Sequence, residues 1–168
     1  KEVIQSEVTK VVETYAKEKF DALYNNGEVV ANISTFTPPG TILLTRTSNQ
    51  HFKKHLFEKA GHLNGEETDF AHRVDSLDNV LWWYRNREKE DFYLQGWQSN
   101  RFYPDYVIKT KDGRYIVAEY KGEDRLSNDD TGYKVKIGQM WEKLRGNDDM
   151  FILVSKANSD ESIKAIGY

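Results

Sequence analysis

The stretch FYPDYVIKTKDGRYIVAEYKG, which spans Phe102–Gly122, decides the fold because it is typical of two strands joined by a tight turn. Runs rich in β-branched and aromatic residues lie on both sides of Asp112-Gly113, and an Asp-Gly pair between such runs is a strong hairpin signal. We therefore predict strands over about 103–110 and 114–120. The outer ends of both strands carry charged residues, which the hairpin alone does not explain.

The elements around this hairpin predict an α/β domain. Apolar residues at helical spacing after Asn64 predict a helix over about 65–86, and a strand is expected over about 92–98. After the hairpin, the spacing predicts a second helix that ends at Gly146, and the unbroken apolar run Met150–Ser155 predicts a buried strand. The expected order is helix, three strands, helix and strand, with a four-stranded mixed sheet between the helices.

The first part of the chain, 1–64, is expected to form an arm and a linker in front of this core, which would span 65–168. Apolar residues recur every three or four positions over Val3–Leu23, and Asn25-Asn26-Gly27 is a stop signal, so the arm should begin with a helix. The stretch around Pro38-Pro39-Gly40 mixes β-branched residues with a turn signal and predicts short strands.

Composition and charge narrow the range of functions. The chain has 168 residues, of which 38% are hydrophobic and 30% charged, as expected for a folded domain. Its formal net charge of −3 argues against indiscriminate binding of polyanions. The sequence contains no apolar run near the roughly 18 residues of a membrane helix, no secretory signal and no cysteine. We therefore expect no membrane association and a cytoplasmic location.

The charged residues of the hairpin predict a metal site. Folding at the turn brings Asp105 towards the end of the second strand, where Glu119 and Lys121 share one face. Two neighbouring carboxylates raise each other's pKa, and a divalent cation would remove this conflict. Oxygen ligands favour Mg²⁺ or Mn²⁺, and a nearby lysine can hold the attacking water. The alternative is an ordinary hairpin with an exposed Glu–Lys pair.

The same stretch resembles the core motif of the PD-(D/E)XK nuclease superfamily, with Pro104-Asp105 as the first element and Glu119-Tyr120-Lys121 as the second. The segments VLWWYRN, Val80–Asn86, and YKVKIGQMWEKL, Tyr133–Leu144, are similar to the C-terminal endonuclease domain of type III restriction enzymes (the Res subunit) and of related helicase–nuclease proteins. The resemblance covers about residues 65–155 and implies the restriction-endonuclease-like αβββαβ fold.

The resemblance also implies roles for individual residues. Asp105 and Glu119 would ligate Mg²⁺, for which Mn²⁺ can substitute, and the backbone carbonyl of Tyr120 would be a further ligand. Lys121 would be the catalytic lysine. Members of the superfamily often add an acidic residue from the first helix, and Glu67 is the candidate for that position.

Three further candidates have alternatives. Glu67 is equally well explained as the partner of Asn64 in a capping box, with Glu66 as a substitute in the site. The second helix of the superfamily often contributes a polar or basic side chain that contacts DNA, and Lys134 or Gln139 could serve. Because these two residues lie on different helical faces, only one of them should face the site.

The end of the helix predicted over 65–86 carries aromatic and polar residues that could grip DNA. The aromatic run Trp82–Tyr84 could stack on bases, although such clusters more often belong to the core, and Arg85 and Asn86 are the candidates for phosphate contacts. The chain has no phosphate-binding glycine-rich motif, so we do not expect it to bind ATP. A helicase or ATPase domain would lie elsewhere in the same chain or in a partner chain.

The expected function is that of a Mg²⁺-dependent endonuclease domain that hydrolyses DNA phosphodiester bonds. Two alternatives remain at this point. One is a non-catalytic module that binds DNA or assembles with a helicase, and the other is a nuclease that processes RNA.

Overall fold

The computed structural model describes residues 2–28, 36–126, 128–146 and 148–168. Within these residues the chain is an α/β protein with four α-helices and one sheet of four strands. In chain order the elements are α1 (Glu2–Asn25), α2 (Gly65–Ser76), β1 (Val80–Arg85), β2 (Tyr106–Thr110), β3 (Tyr115–Tyr120), α3 (Asp129–Arg145), β4 (Met150–Val154) and α4 (Ser159–Gly167).

The sheet is open and mixed, and its strands lie in the order β1-β2-β3-β4. The first three strands form an antiparallel meander, whereas β4 pairs parallel to β3. A parallel pair requires a crossover connection, and α3 supplies it. The order from α2 to β4 is therefore helix, three strands, helix and strand, as predicted, but the first strand is formed by residues that were predicted as helix.

The central hairpin of β2 and β3 has the register that the sequence predicts. Tyr106 faces Ala118 at one end, and Lys109 faces Tyr115 beside the turn. Gly113 has a φ of +98°, a left-handed conformation that glycine adopts without strain, so the Asp-Gly turn closes the hairpin. Continuing this register by one residue places the position of Asp105 opposite that of Glu119.

Two of the predicted elements are wrong. The helix predicted over 65–86 ends at Ser76, and its second half forms the strand β1. Trp83 and Tyr84 are neighbours in sequence, and both are fully buried in apolar clusters on opposite faces of the sheet, a pattern that suits a strand and not an amphipathic helix. The strand predicted over 92–98 is absent from the described chain, where this segment makes only an isolated bridge between Leu94 and Phe102.

Each face of the sheet is covered by helices, so the core has two halves. Helices α2 and α4 cover one face, where the buried residues include Phe70, Val74, Ile108, Ile116 and Ile166. Helix α3 covers the other face, where they include Val117, Tyr133, Ile137, Trp141 and Phe151. Helix α3 approaches β4 closely at Gly138, because a Cβ atom there would lie 2.3 Å from the ring of Phe151.

The N-terminal part of the chain contacts this body in two places. The predicted first helix is present as α1, whose C-terminal half contacts the body through Phe20 beside Trp97 and an ion pair of Asp21 with Lys136 at 2.6 Å. The segment 36–63 adds apolar residues to both halves of the core, among them Phe36, Phe52, Ala60 and Leu63. Short strands were predicted over 28–47; residues 29–35 lie outside the described residues, and the described part from 36 to 47 makes only an isolated bridge between Thr47 and Gly61.

Two observations complete the description of the helices. None of the helices in the described chain combines the length and the apolar character that crossing a bilayer requires. Helix α4, which the sequence patterns did not predict, covers the sheet beside α2, and Asn79 donates a hydrogen bond of 2.6 Å to the carbonyl of Ile166 near its end.

Candidate functional site

The charged residues at the ends of β2 and β3 line one cleft of about 390 Å³. The predicted residues that line it are Glu67, Arg85, Asn86, Asp105, Glu119, Tyr120, Lys121 and Lys134. Four parts of the fold meet here: the start of α2, the end of β1, the hairpin of β2 and β3, and the first turns of α3. The cleft therefore brings together residues that lie far apart in the sequence.

Asp105 is fixed in the cleft by both of its carboxylate oxygens. Oδ2 accepts a hydrogen bond from the backbone N–H of Tyr120 at 2.8 Å, which ties the entry of β2 to the end of β3. Oδ1 accepts from Arg85 at 2.6 Å. The Asp105 carbonyl also accepts from the N–H of Asn86 at 2.9 Å. The backbone pairing of three neighbouring strand ends thus positions this carboxylate.

Glu119 is the most deeply buried carboxylate of the cleft, with 3% of its surface exposed. Its Oε1 accepts hydrogen bonds from Lys121 at 3.0 Å and from Lys134 at 3.1 Å, whereas its Oε2 has no hydrogen-bond partner among the described residues. Burial, and after it the charge of Asp105, raise the pKa of Glu119 to about 7, and the two lysines only partly oppose this rise.

The two lysines of the cleft share their carboxylate partners. Besides Glu119, Lys134 lies 3.2 Å from Asp130 and Lys121 lies 3.8 Å from the same carboxylate. Burial lowers the pKa of Lys134, but the Glu119 carboxylate and the other neighbouring groups together raise it by more, so Lys134 is held in its charged form. Two cations therefore converge on the one satisfied oxygen of Glu119.

Arg85 joins two further carboxylates of the cleft, those of Asp105 and Glu67. Its guanidinium lies 2.6 Å from Asp105 and 3.1 Å from Glu67. Burial lowers the pKa of Arg85, but Asp105 and the other neighbouring groups together raise it by more than burial lowers it, so the side chain stays charged. Arg85 was expected to face a DNA phosphate, and in this structure it is engaged with protein carboxylates.

Glu67 has the contacts of a helix cap and also lies in the cleft. Its Oε2 accepts from the N–H of Asn64 at 2.8 Å, and Asn64 Oδ1 accepts from the N–H of Glu67 at 2.9 Å, which completes the capping box at the start of α2. Its Oε1 binds Arg85. Both carboxylate oxygens of Glu67 are therefore occupied by the protein.

The other residues predicted to contact DNA differ in their surroundings. Asn86 is buried, and its side-chain amide donates to the carbonyls of Phe92 and Pro104 at 2.7 and 2.8 Å, so it holds the loop after β1 rather than facing solvent. Gln139 is exposed on α3 and is not among the described residues that line the cleft, whereas Lys134 lines it.

Sequence reasoning missed Glu88, and it also missed Arg101 and Tyr103, which line the cleft as well. The Arg101 guanidinium stacks over the ring of Tyr93, with its Cζ 4.1 Å from the ring centroid, and the rings of Tyr93 and Tyr103 lie 5.8 Å apart. The signal was their position, four and two residues before Asp105, since residues so close to a site residue along the chain cannot lie far from it.

The oxygen atoms of the cleft fit a hard divalent cation through two carboxylates. In the described part of the chain, no group of three or more His, Cys, Asp or Glu side chains is arranged to hold a metal ion. The guanidinium of Arg85 lies between Glu67 and Asp105, which explains why a third carboxylate does not join. The unpartnered Oε2 of Glu119, with Asp105 close by, leaves the donor atoms that Mg²⁺ or Mn²⁺ prefers.

Comparisons of the chain with protein-family models, curated proteins and solved structures gave no match. The functional argument therefore depends on the residues of the cleft. A buried carboxylate with an unused oxygen, a second carboxylate beside it and two lysines within hydrogen-bond distance can together bind a cation and a polyanionic substrate.

Proposed function

We propose that this chain is a metal-dependent endonuclease domain that hydrolyses DNA phosphodiester bonds. The observation that carries the proposal is the meeting of Asp105, Glu119 and Lys121 in one cleft, where the buried Glu119 keeps an oxygen without a partner among the described residues. The order of elements from α2 to β4 supports a restriction-endonuclease-like core of the PD-(D/E)XK type, similar to that of type III restriction enzymes.

Asp105 and Glu119 would hold Mg²⁺ or Mn²⁺, with the backbone carbonyl of Tyr120 as a further ligand. When bound, the cation supplies Lewis-acid stabilisation of the negative charge on the phosphate oxygens. Arg85 holds Asp105 in the orientation in which its other oxygen accepts from the Tyr120 N–H. The protein thus fixes both carboxylates by its own contacts, and this preorganisation keeps the cost of reorganising the site small.

Lys121 is the residue that acts on the water. Lys121 follows directly after the last residue of β3, and its ammonium group lies 3.0 Å from Glu119. From this position it can donate a hydrogen bond to a water that attacks phosphorus. Its positive charge also stabilises the negative charge that develops on the phosphate. Lys134 shares Glu119 with Lys121, and it neutralises the carboxylate that Lys121 would otherwise have to balance alone.

The domain would work with partners. Its own net charge of −3 gives little general attraction to DNA, so a helicase or ATPase domain, in the same chain or in a partner chain, would bring the nucleic acid to the cleft and bind ATP. A cytoplasmic location agrees with such a role and stays a prediction. A DNA-binding module without cleavage, or an RNA nuclease, is distinguished by the experiment below.

The test is cleavage of labelled single-stranded DNA, duplex DNA and RNA by the wild type and by Asp105→Asn and Lys121→Met, with Mg²⁺, Mn²⁺ or EDTA. We expect cleavage of DNA that EDTA abolishes and that each substitution lowers by about 10³-fold, since each removes several kcal/mol of transition-state stabilisation. Lys111→Met and Asp78→Asn, which change exposed residues outside the cleft, are the matched controls and should cut normally.

Four results would contradict the proposal. Cleavage that persists in EDTA, or that is equal in wild type and Lys121→Met, would mean that the cleft is not the catalytic centre. Binding of DNA without cleavage, with the helicase partner supplied, would favour the non-catalytic module. Preference for RNA over DNA of the same sequence would assign the domain to RNA processing.

A further inference from the structure

The rim of the cleft carries a group of three residues that the catalytic proposal does not use, here called the rim cluster: Tyr93, Arg101 and Tyr103. The guanidinium of Arg101 stacks over the ring of Tyr93, with its Cζ 4.1 Å from the centroid, and Tyr103 lies beside it. The two tyrosine rings lie 5.8 Å apart at an angle of 51°. Arg101 is exposed, and both tyrosines are partly exposed.

Arg101 differs from the other cationic residues that line the cleft in its contacts. Arg85, Lys121 and Lys134 are all engaged with carboxylates at distances between 2.6 and 3.1 Å. Arg101 instead contacts aromatic rings, and it pairs with no carboxylate among the described residues. Its charge is therefore the one in the described lining of the cleft that a phosphate can take up without displacing a protein anion.

The tyrosines of the rim cluster suit a nucleobase. Bases stack on aromatic side chains, and arginine stacks on the same rings, so a guanidinium next to a tyrosine offers a phosphate contact and a base contact together. Tyr103 lies two residues before Asp105, and two residues of chain span at most about 7 Å. The rim cluster is therefore within reach of the nucleotide that adjoins a phosphate held at Asp105.

Stacking on a side chain requires that the base be free of its own stack. Bases in an intact duplex are stacked and paired, whereas single strands can splay a base onto an aromatic ring. This favours an unpaired nucleotide at the rim of the cleft. A duplex would meet the cluster only after local opening, which costs free energy.

We infer that the cleft takes single-stranded nucleic acid, with Arg101 on the phosphate next to the scissile one and Tyr103 against the base of that nucleotide. The inference rests on the proposed function, and it names the substrate class of the same site. Overhangs, flaps and strands opened by a helicase are the substrates that fit, and an intact blunt duplex is not.

Binding of a fluorescent oligothymidylate in EDTA, followed by anisotropy, tests the inference without cleavage. Tyr103→Leu should weaken binding roughly 5- to 100-fold, because it removes a stacking surface. Tyr103→Phe keeps the ring and should stay within about threefold of the wild type. Arg101→Gln should flatten the plot of log affinity against log salt by about 0.7, as expected for one lost phosphate contact to a single strand, and Arg101→Lys should preserve that slope.

The inference is overturned if a blunt duplex binds as tightly as the single strand, or if Arg101→Gln leaves both affinity and salt slope unchanged. Arg101 is exposed, so this variant does not depend on a change in the core. The failures are separable. A domain that binds the oligonucleotide through Arg101 but cuts nothing refutes the proposed catalysis alone. A domain that cuts intact duplex equally well with Arg101→Gln refutes the inference alone.

Discussion

A buried carboxylate lies at each end of strand β3, and the two carboxylates differ in the hydrogen-bond partners of their oxygens. At the start of the strand, Asp149 accepts from the N–H of Tyr115 at 2.6 Å with one oxygen and from Arg145 at 2.6 Å with the other. At the far end, Glu119 receives both of its lysines on one oxygen, and its second oxygen has no partner in the described chain.

This difference distinguishes Asp149, a structural carboxylate, from Glu119, the proposed metal ligand. Burial of a charged group costs free energy that hydrogen bonds must offset, and Asp149 has a contact on each oxygen. Glu119 is equally buried, yet its pKa rises to about 7, first because of burial and then because of Asp105. A bound cation would supply the partner that the second oxygen of Glu119 lacks in the described chain.

The largest predicted effect is on stability at the structural end. Asp149→Ala should lower the free energy of unfolding by about 3 kcal/mol, because it leaves the Tyr115 N–H and the Arg145 guanidinium without this acceptor. Glu119→Gln should change it by less than about 1 kcal/mol, or raise it, at neutral pH. The measurement is urea unfolding of both variants in EDTA.

The sign for Glu119 follows from its pKa. The folded-state value of about 7 lies above the usual 4.5, so the favourable contribution of the protonated group is complete below pH 4.5 and is lost as pH rises through 7. Glutamine is neutral at all pH values and avoids this loss. If Glu119→Gln were as destabilising as Asp149→Ala, the carboxylate would serve the fold and the contrast between the two ends would fail.

The site end of the sheet also depends on a neutral histidine. Nε2 of His55 accepts from the backbone N–H of Arg85 at 3.2 Å, and Nδ1 lies 2.8 Å from the carbonyl of Phe57, so the ring fits as the Nδ1–H tautomer. Burial lowers the pKa of His55, and the contacts with Phe57 and Asp75 only partly oppose it. A depressed pKa stabilises the fold above the usual value of 6.5, and this stability is lost as pH falls through the folded-state pKa.

We therefore predict that wild type loses more stability than His55→Gln between about pH 7.5 and pH 5. Protonation of His55 would place a second donor against the N–H of Arg85 and loosen the strand that carries the site arginine. Urea unfolding at both pH values measures the difference, with His51→Gln, at an exposed position, as the control. Identical pH profiles for wild type and His55→Gln would show that His55 has no part in this coupling.

The elements that the sequence predicted correctly are those with local signals. The Asp-Gly turn set the register of β2 and β3, the Asn64 capping box began α2, and Gly146 ended α3. Because a tight hairpin has only one register that suits its turn, the nearness of Asp105 and Glu119 followed from sequence alone.

The parts that were wrong or missed depend on contacts between distant segments. Whether VLWWY forms a helix or a strand is decided by burial on both faces, since Trp83 and Tyr84 enter opposite halves of the core. In the site, the contact of Arg85 with both Glu67 and Asp105 depends on the register of β1 against β2. The composition of β1 does not specify this register.

Glu67 shares one feature with each of the two carboxylates at the ends of β3. It lines the cleft, as Glu119 does, but each of its oxygens has a protein partner, as in Asp149. We interpret it as a residue that caps α2 and positions Arg85, which in turn holds Asp105. Asp105 also has a protein partner on each oxygen, but its position lies opposite that of the buried Glu119, whereas Glu67 lies at the start of α2.

The smallest predicted effects follow from this interpretation. Glu67→Ala should cost about 1 kcal/mol of stability through the lost cap, and Glu67→Gln, whose amide oxygen can still accept from the Asn64 N–H, should cost less than about 0.5 kcal/mol. Cleavage by Glu67→Gln should fall by less than about tenfold, because the pair with Arg85 is weakened while the carboxylates of Asp105 and Glu119 remain. Mg²⁺ titration of the cleavage rate separates the roles: a metal requirement unchanged from wild type supports positioning, whereas a requirement raised 100-fold or more would make the Glu67 carboxylate a ligand, since each lost ligand weakens the hold on the cation.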